Sequence, residues 1–163
     1  MQQLDRDEAS LVMKARPEDV YDVFADVTRT PEFSPEVVSC RWTDGATGPV
    51  VGARFKARNK VQRGPSWSNK PVVTVAERGK EFAFTRTEFG GGTMLWRYQF
   101  EAHDDGTLVT ESYEVLRPMT RGMWFVIERV CGRRDRRADL RLGMRQTLER
   151  VRDAVQVRTT TAG

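Results

Sequence analysis

The sequence predicts a single α+β domain in which a curled antiparallel sheet of seven strands surrounds one long C-terminal helix. Three observations lead to this fold class. Two short helical segments follow the first strand, residues 37–116 alternate apolar and polar side chains between short turns, and the chain after Pro118 has a helical period. A chain of 163 residues can bury a substantial core. We therefore expect one domain over residues 1–163, with an ordered core at about residues 9–157.

The N-terminal elements are a strand and two short helices. Residues 9–15 alternate apolar and polar side chains, as a strand with one buried face does. Pro17 starts the first helix, because proline suits the first helical position and the two acidic residues after it suit the positive end of the helix dipole. Pro31 predicts a second, shorter helix over residues 31–34.

Six further strands are predicted between the short helices and the final helix. Their side chains alternate in polarity, and turn sequences such as Asp104-Asp105-Gly106 separate them, which is typical of an antiparallel meander. The predicted strands occupy residues 37–42, 52–59, 67–77, 81–88, 94–100 and 107–116.

The final helix is predicted to extend over residues 120–157. Leu140, Met144 and Leu148 share an apolar stripe, and this stripe is offset from the apolar stripe upstream of Gly132. Because glycine weakens a helix, we expect a kink or break near Gly132. A long helix with one apolar face is expected to lie across the concave face of the sheet, leaving a cavity between them.

Several functional classes are not expected from this composition. No apolar run reaches the roughly 18–20 residues of a membrane-spanning helix. The polar N-terminus also lacks the layout of a secretory signal, so we expect a cytoplasmic protein. Cys40 and Cys131 lie far apart outside any metal-binding spacing, and His103, the one histidine of the sequence, lies in a turn sequence. No metal, cofactor, disulfide or serine- or cysteine-based catalytic relay is expected.

The segment from Arg121 to Arg152 is rich in arginine. It holds ten arginines against four acidic residues. A solvated helix face accounts for this charge, and a weak contact of the C-terminal helix with an anionic membrane surface is a second interpretation. Nucleic-acid binding is not expected, because no aromatic residue lies between Arg129 and Val157 to stack on bases. The sequence predicts no oligomeric state.

Strand alternation places aromatic and polar side chains on the concave face, where the cavity is expected. The expected ligand-binding residues are Phe55, Asn59, Trp67, Phe84, Arg86, Trp96, Tyr98, Glu111, Tyr113, Trp124 and Met144. Asn59, Arg86 and Glu111 are in phase with apolar neighbours, and an unpaired buried charge is costly. We therefore expect Arg86 and Glu111 to pair inside the cavity and orient a polar group of the ligand, unless strand twist or a bulge turns one outward.

Seven short motifs occur in a fixed order from about Leu11 to Val155. They are Pro17-Glu18-Asp19-Val20-Tyr21, Ala25-Asp26-Val27, Pro31-Glu32-Phe33-Ser34-Pro35-Glu36, Val51-Gly52-Ala53-Arg54-Phe55, Phe82-Ala83-Phe84, Trp96-Arg97-Tyr98 and Gly106-Thr107-Leu108-Val109-Thr110-Glu111-Ser112. In this order they resemble the helix-grip superfamily of START and Bet v 1-like proteins (SRPBCC), in particular its polyketide cyclase/dehydrase-like branch. The resemblance implies a helix-grip fold with an internal pocket. It leaves the chemistry open, because members include lipid carriers, hormone binders and aromatic-ring cyclases.

Two functions follow from this resemblance. The first is the binding or transport of a hydrophobic small molecule, such as a lipid, an aromatic or a polyketide-like compound, which needs only a pocket and a few orienting polar groups. The alternative is a polyketide cyclase or aromatase, in which Tyr98, Tyr113 or Glu111 acts as general acid or base and Arg86 stabilises an enolate. The sequence assigns no catalytic residue and favours the binding protein.

Overall fold

The computed structural model describes residues 4–61, 64–88, 90–132 and 135–161. The strands in these residues are β1 (Arg6–Met13), β2 (Val37–Thr43), β3 (Arg54–Asn59), β4 (Trp67–Asn69), β5 (Val72–Glu77), β6 (Glu81–Thr87), β7 (Thr93–His103) and β8 (Gly106–Arg117). The helices are α1 (Pro17–Ala25), α2 (Thr30–Phe33), α3 (Arg121–Cys131) and α4 (Arg136–Thr161), and a 3-10 turn at Val27–Arg29 joins α1 to α2.

The described strands form one antiparallel sheet in the order β1-β8-β7-β6-β5-β3-β2, with β4 paired to β3. The first strand of the chain pairs with the last, and the others follow as a meander. Buried and more exposed residues alternate along β3, β7 and β8, so each has one face against the core. Together with α4 on the inner face, this is the α+β helix-grip architecture that the sequence predicts.

The predicted strand at residues 67–77 is in fact two strands, β4 and β5. Pro71 lies between them and has no backbone N–H to donate to a ladder, although its carbonyl accepts a hydrogen bond from the backbone of Phe55 at 3.2 Å. The described residues therefore contain eight strands, one more than expected. The division separates Trp67 and Asn69, which pair with β3, from the longer ladder of β5 with β6.

The strand β1 begins at Arg6, three residues before the expected position. Leu4 is 8% exposed and packs with Met94 and Trp96, and the Asp5 carbonyl accepts a hydrogen bond from the backbone of Val115 at 2.7 Å. The segment before the strand therefore contributes to the core next to the sheet.

The break near Gly132 is confirmed. Helix α3 ends at Cys131, and Gly132 follows it with a φ of 61°, in the left-handed region where glycine commonly ends a helix. The next helix, α4, begins at Arg136. The break separates a short helix beside the cavity from the long helix that packs on the sheet.

Helix α4 is attached to the rest of the fold by its apolar stripe and by several arginines. Leu148 and Val151 belong to the main core cluster, and Leu140 and Met144 belong to a second cluster around Trp96. Of the arginines, Arg136 pairs with Glu36, Arg141 pairs with Asp7 at 2.7 Å, Arg137 donates to the Arg6 carbonyl, and Arg150 donates to the Phe33 carbonyl. Much of the arginine-rich character thus serves contacts within the chain.

Candidate ligand-binding site

A cavity between the helices and the sheet lies beneath α3. It has a volume of about 190 Å³ and is here called the outer cavity. Its apolar walls are formed by Leu4, Val61, Pro65, Trp67, Met94, Met119, Trp124, Ile127 and Leu140. The charged side chains of Arg86, Glu88 and Arg136 border the same space. A mostly apolar wall with few polar groups is typical of a site for a hydrophobic molecule.

A smaller cavity of about 40 Å³, here called the inner cavity, lies deeper against the sheet. Phe24, Phe55, Phe82, Phe84 and Tyr98 supply its aromatic wall, and Asn59 and Asn69 supply amide groups. Arg86 borders both cavities. The two cavities are therefore neighbours, with Arg86 in the wall of each.

Arg86 pairs with Glu88, two residues further along the chain, and its guanidinium lies over the Trp96 ring at 5.1 Å from the centroid. The predicted pair of Arg86 with Glu111 is wrong. Strand register gives the reason: Arg86 is opposite Met94 on β7, whereas Glu111 is opposite Tyr98, four residues or roughly 13 Å further along that strand.

Glu111 is bonded to Tyr98 instead. The Tyr98 hydroxyl donates to Glu111 Oε1 at 3.2 Å, and Glu111 is only 4% exposed. Burial raises the pKa of Glu111 to about 8, and the hydrogen bond from Tyr98 opposes this rise only in part. Burial, followed by the proximity of Glu111, raises the pKa of Tyr98 well above its ordinary value. Near neutral pH both side chains thus hold their protons.

Tyr98 borders the inner cavity, whereas Glu111 is absent from the described residues that border either cavity. Glu111 therefore lies behind Tyr98 rather than facing the ligand space. Its contact with a residue of the cavity wall is the hydrogen bond that it accepts from the Tyr98 hydroxyl.

Asn59 and Asn69 are buried, at 1% and 6% exposure. Within the described residues, neither the oxygen nor the nitrogen of either side-chain amide has a hydrogen-bond partner. The two residues are diagonal neighbours on one face of the β3–β4 ladder, because Asn59 is opposite Trp67 and Asn69 is opposite Ala57. Buried amides normally have hydrogen-bond partners, so these four unpaired atoms give the inner cavity unused hydrogen-bonding capacity.

The sequence analysis did not identify Asn69. A signal for it was present, because Asn69 follows Trp67 by two residues and side chains two apart on a strand share a face. The prediction of one continuous strand over residues 67–77 gives no reason to place Asn69 in the site. The proline at position 71 indicates where that interpretation fails.

The expected site residues do not all border the same cavity. Trp67 and Trp124 border the outer cavity, Phe55, Asn59, Phe84 and Tyr98 border the inner cavity, and Arg86 borders both. Trp96, Tyr113 and Met144 lie in the core cluster next to the outer cavity, and the Trp96 and Tyr113 rings are 5.5 Å apart. Glu111 stands behind Tyr98. Contact of these side chains with a ligand stays a prediction.

The described residues contain no group of three His, Cys, Asp or Glu side chains arranged to hold a metal ion. Cys40 borders the inner cavity, and burial raises the pKa of its thiol to about 12, so it remains an unreactive thiol at neutral pH. The side chain of Cys131 lies outside the described part of the chain. No helix in the residues that the structure describes is both long and apolar enough to cross a membrane.

The curled sheet, the long C-terminal helix and the cavities between them define a helix-grip protein of the SRPBCC superfamily. Residues 8–156 match the family described as polyketide cyclase / dehydrase and lipid transport. The chain therefore belongs to this family. No curated protein is significantly similar to it.

Three solved structures illustrate the similarity. The Polyketide_cyc-like protein Cgl2372 from Corynebacterium glutamicum is 30% identical, with 94% of this chain and 93% of that chain aligned and a TM-score of 0.59. The di-domain ARO/CYC StfQ from the steffimycin biosynthetic pathway is 12% identical with a TM-score of 0.79, and 97% of this chain covers 52% of that one. Ara h 8.0201 is 15% identical with a TM-score of 0.66, over 93% of this chain and 97% of that chain. The last two show a shared fold.

Proposed function

We propose that this protein binds or transports a hydrophobic small molecule, such as a lipid, an aromatic or a polyketide-like compound, in the outer cavity. The observation that carries the proposal is the apolar wall of this cavity, which has a volume of about 190 Å³. Trp67, Met94, Trp124 and Leu140 offer flat and flexible apolar surfaces, which suit an aromatic or aliphatic molecule.

Helix α3 is the element whose displacement would open the outer cavity. Trp124 and Ile127 face the cavity, but none of the described side chains of α3 is fully buried. The helix is also separated from α4 by the break at Gly132. A short, loosely packed element of this kind opens at a lower free energy than the core, so ligand entry beneath α3 does not require the sheet to open.

A substitution that fills the outer cavity with a larger side chain tests whether the ligand binds there. The probe is N-phenyl-1-naphthylamine, a neutral aromatic dye whose fluorescence rises in an apolar site. Ile127→Trp places a larger side chain into the outer cavity, and Val126→Trp places the same side chain on the exposed side of the same helix. We expect the first variant to weaken dye binding about tenfold or more and the matched control to bind as the unmodified protein does.

The proposal fails if the unmodified protein does not bind the dye. It also fails if both tryptophan variants bind the dye equally, because binding would then occur elsewhere on the surface. Native mass spectrometry of the purified protein, followed by denaturing extraction, identifies any ligand that is retained during purification.

A polyketide cyclase or aromatase is the second candidate function. The observation that favours it is Tyr98, which borders the inner cavity and whose hydroxyl is bonded to Glu111. Because the pKa of Tyr98 is raised, this hydroxyl would act as a proton donor rather than as a base. Product formation from a poly-β-ketone substrate, lost in Tyr98→Phe, would establish catalysis. Binding of the same compound without product would leave the protein as a carrier.

A further inference from the structure

The inner cavity holds four polar atoms that have no partner among the described residues. They are the side-chain oxygens and nitrogens of Asn59 and Asn69. Both side chains are more than nine-tenths buried, and both border this cavity. Each amide offers a carbonyl acceptor and two N–H donors, so the pair can hold a group that accepts hydrogen bonds, donates them, or does both.

The strand register brings the two amides to the same place. Asn59 and Asn69 lie diagonally across the β3–β4 ladder, at a Cα separation on the order of 7–8 Å, which is within reach of two side chains that contact one group between them. The space beside them is about 40 Å³, enough for a small polar group rather than a ring. Asn59 is opposite Trp67, which borders the outer cavity. A molecule in the outer cavity therefore has the amides near its inner end.

The charged groups around the two cavities balance one another. Arg86 pairs with Glu88, and Arg136 pairs with Glu36. Glu111, behind Tyr98, is bonded to the hydroxyl of that residue, and its raised pKa keeps it protonated at neutral pH. An ionised ligand group would lose its hydration here without gaining an unpaired opposite charge, which is unfavourable. A neutral oxygen needs only hydrogen bonds, and these are what the amides supply.

We infer that Asn59 and Asn69 form a subsite for a neutral oxygen-bearing group, a carbonyl or a hydroxyl, at the inner end of the bound molecule. This inference rests on the proposed function. It specifies in addition that the hydrophobic ligand carries a polar oxygen and no charge at its inner end. The outer cavity holds the apolar body of the molecule, and the amide pair fixes the position of its oxygen.

Three naphthalene derivatives of similar shape test the subsite. 2-Acetylnaphthalene carries a ketone, 2-isopropenylnaphthalene carries a CH₂ group in place of the ketone oxygen, and 2-naphthoate carries a negative charge. Binding is measured by quenching of tryptophan fluorescence, since Trp67 and Trp124 border the outer cavity. We expect the ketone to bind about tenfold more tightly than the alkene, as one net hydrogen bond implies, and the carboxylate to bind more weakly than the ketone.

Asn69→Leu and Asn59→Leu remove each amide with a side chain of similar size. We expect each variant to keep the affinity for the alkene and to reduce the preference for the ketone to about onefold to threefold. The melting temperature should stay the same or rise by a few degrees, because an unpaired buried amide is replaced by an apolar group. Ser68→Ala, on the exposed face of the same strand, is the matched control and should leave the preference unchanged.

The possible outcomes separate this inference from the proposed function. Equal binding of ketone and alkene to the unmodified protein overturns the subsite, and so does tighter binding of the carboxylate. Leucine variants that change the melting temperature but keep the preference for the ketone show that the amides hold water only, which also overturns it. If none of the naphthalenes binds and N-phenyl-1-naphthylamine does not bind either, the proposed function itself fails.

Discussion

Replacing Glu111 with glutamine is expected to stabilise the fold at alkaline pH and to change how its stability depends on pH. Burial raises the pKa of Glu111 from an ordinary 4.5 to about 8. Between these two values the unfolded chain releases the proton of Glu111, whereas the folded chain keeps it. The folded state then binds more protons than the unfolded state, so Glu111 makes the free energy of unfolding fall as the pH rises through this window.

The magnitude follows from the two pKa values. One pKa unit corresponds to about 1.4 kcal/mol, so the rise from 4.5 to about 8 amounts to a loss of as much as about 5 kcal/mol by pH 9. This loss is a large share of the roughly 5–15 kcal/mol that stabilises a typical domain. Glutamine has nearly the same shape, stays neutral at every pH, and its carbonyl can accept the hydrogen bond that the Tyr98 hydroxyl donates.

The assay is urea unfolding at pH 5, 7 and 9, followed by tryptophan fluorescence. The free energy of unfolding of Glu111→Gln should lie within about 1 kcal/mol of the unmodified value at pH 5 and exceed it by several kcal/mol at pH 9. Glu114→Gln, at an exposed position on the same strand, is the control for the loss of one carboxylate and should change the free energy of unfolding by no more than about 0.5 kcal/mol. A difference for Glu111→Gln that stays constant from pH 5 to pH 9 would refute the reasoning.

Two further predictions concern the hairpin before β8 and the surface of the helices. Gly106→Ala should lower the free energy of unfolding by about 2 kcal/mol or more, because Gly106 has a φ of 131° and a Cβ there would lie 2.2 Å from the Met13 carbonyl oxygen. Gly91→Ala, at a φ of 84° with open space around the Cβ, should have a smaller effect, and equal thermal unfolding of both variants would contradict the steric argument. The predicted weak contact with anionic membranes should appear as co-sedimentation with vesicles containing phosphatidylserine at low salt, since Arg129 and Arg145 are exposed. The co-sedimentation should disappear at about 0.5 M salt. Binding that does not depend on the salt concentration or on the charge of the lipid would contradict this prediction.

Local patterns in the sequence were sufficient for the order of the elements, except for the division of residues 67–77 into β4 and β5. Strand alternation, the proline at the start of α1 and the glycine that ends α3 each act through neighbouring residues, because backbone geometry and side-chain direction repeat over a few positions. For this reason the helix-grip fold and the break at Gly132 could be predicted. The inward phase of Asn59, Arg86 and Glu111 was also visible in the alternation along their strands.

The partners of these inward side chains were decided by the tertiary structure. The alternation of side chains along a strand shows which face of the sheet a residue occupies. It does not show which residue of the neighbouring strand lies opposite. Arg86 and Glu111 share a face, yet the register of β6, β7 and β8 keeps them apart. Glu111 is bonded to its cross-strand neighbour Tyr98, and Arg86 pairs with Glu88, two residues further along the chain. The register of β3 with β4 brings Asn69, on a three-residue strand, beside Asn59. Cavity positions, unpaired atoms and the raised pKa of Glu111 depend on the three-dimensional arrangement of distant segments, because burial is a property of all the atoms around a group rather than of its sequence neighbours.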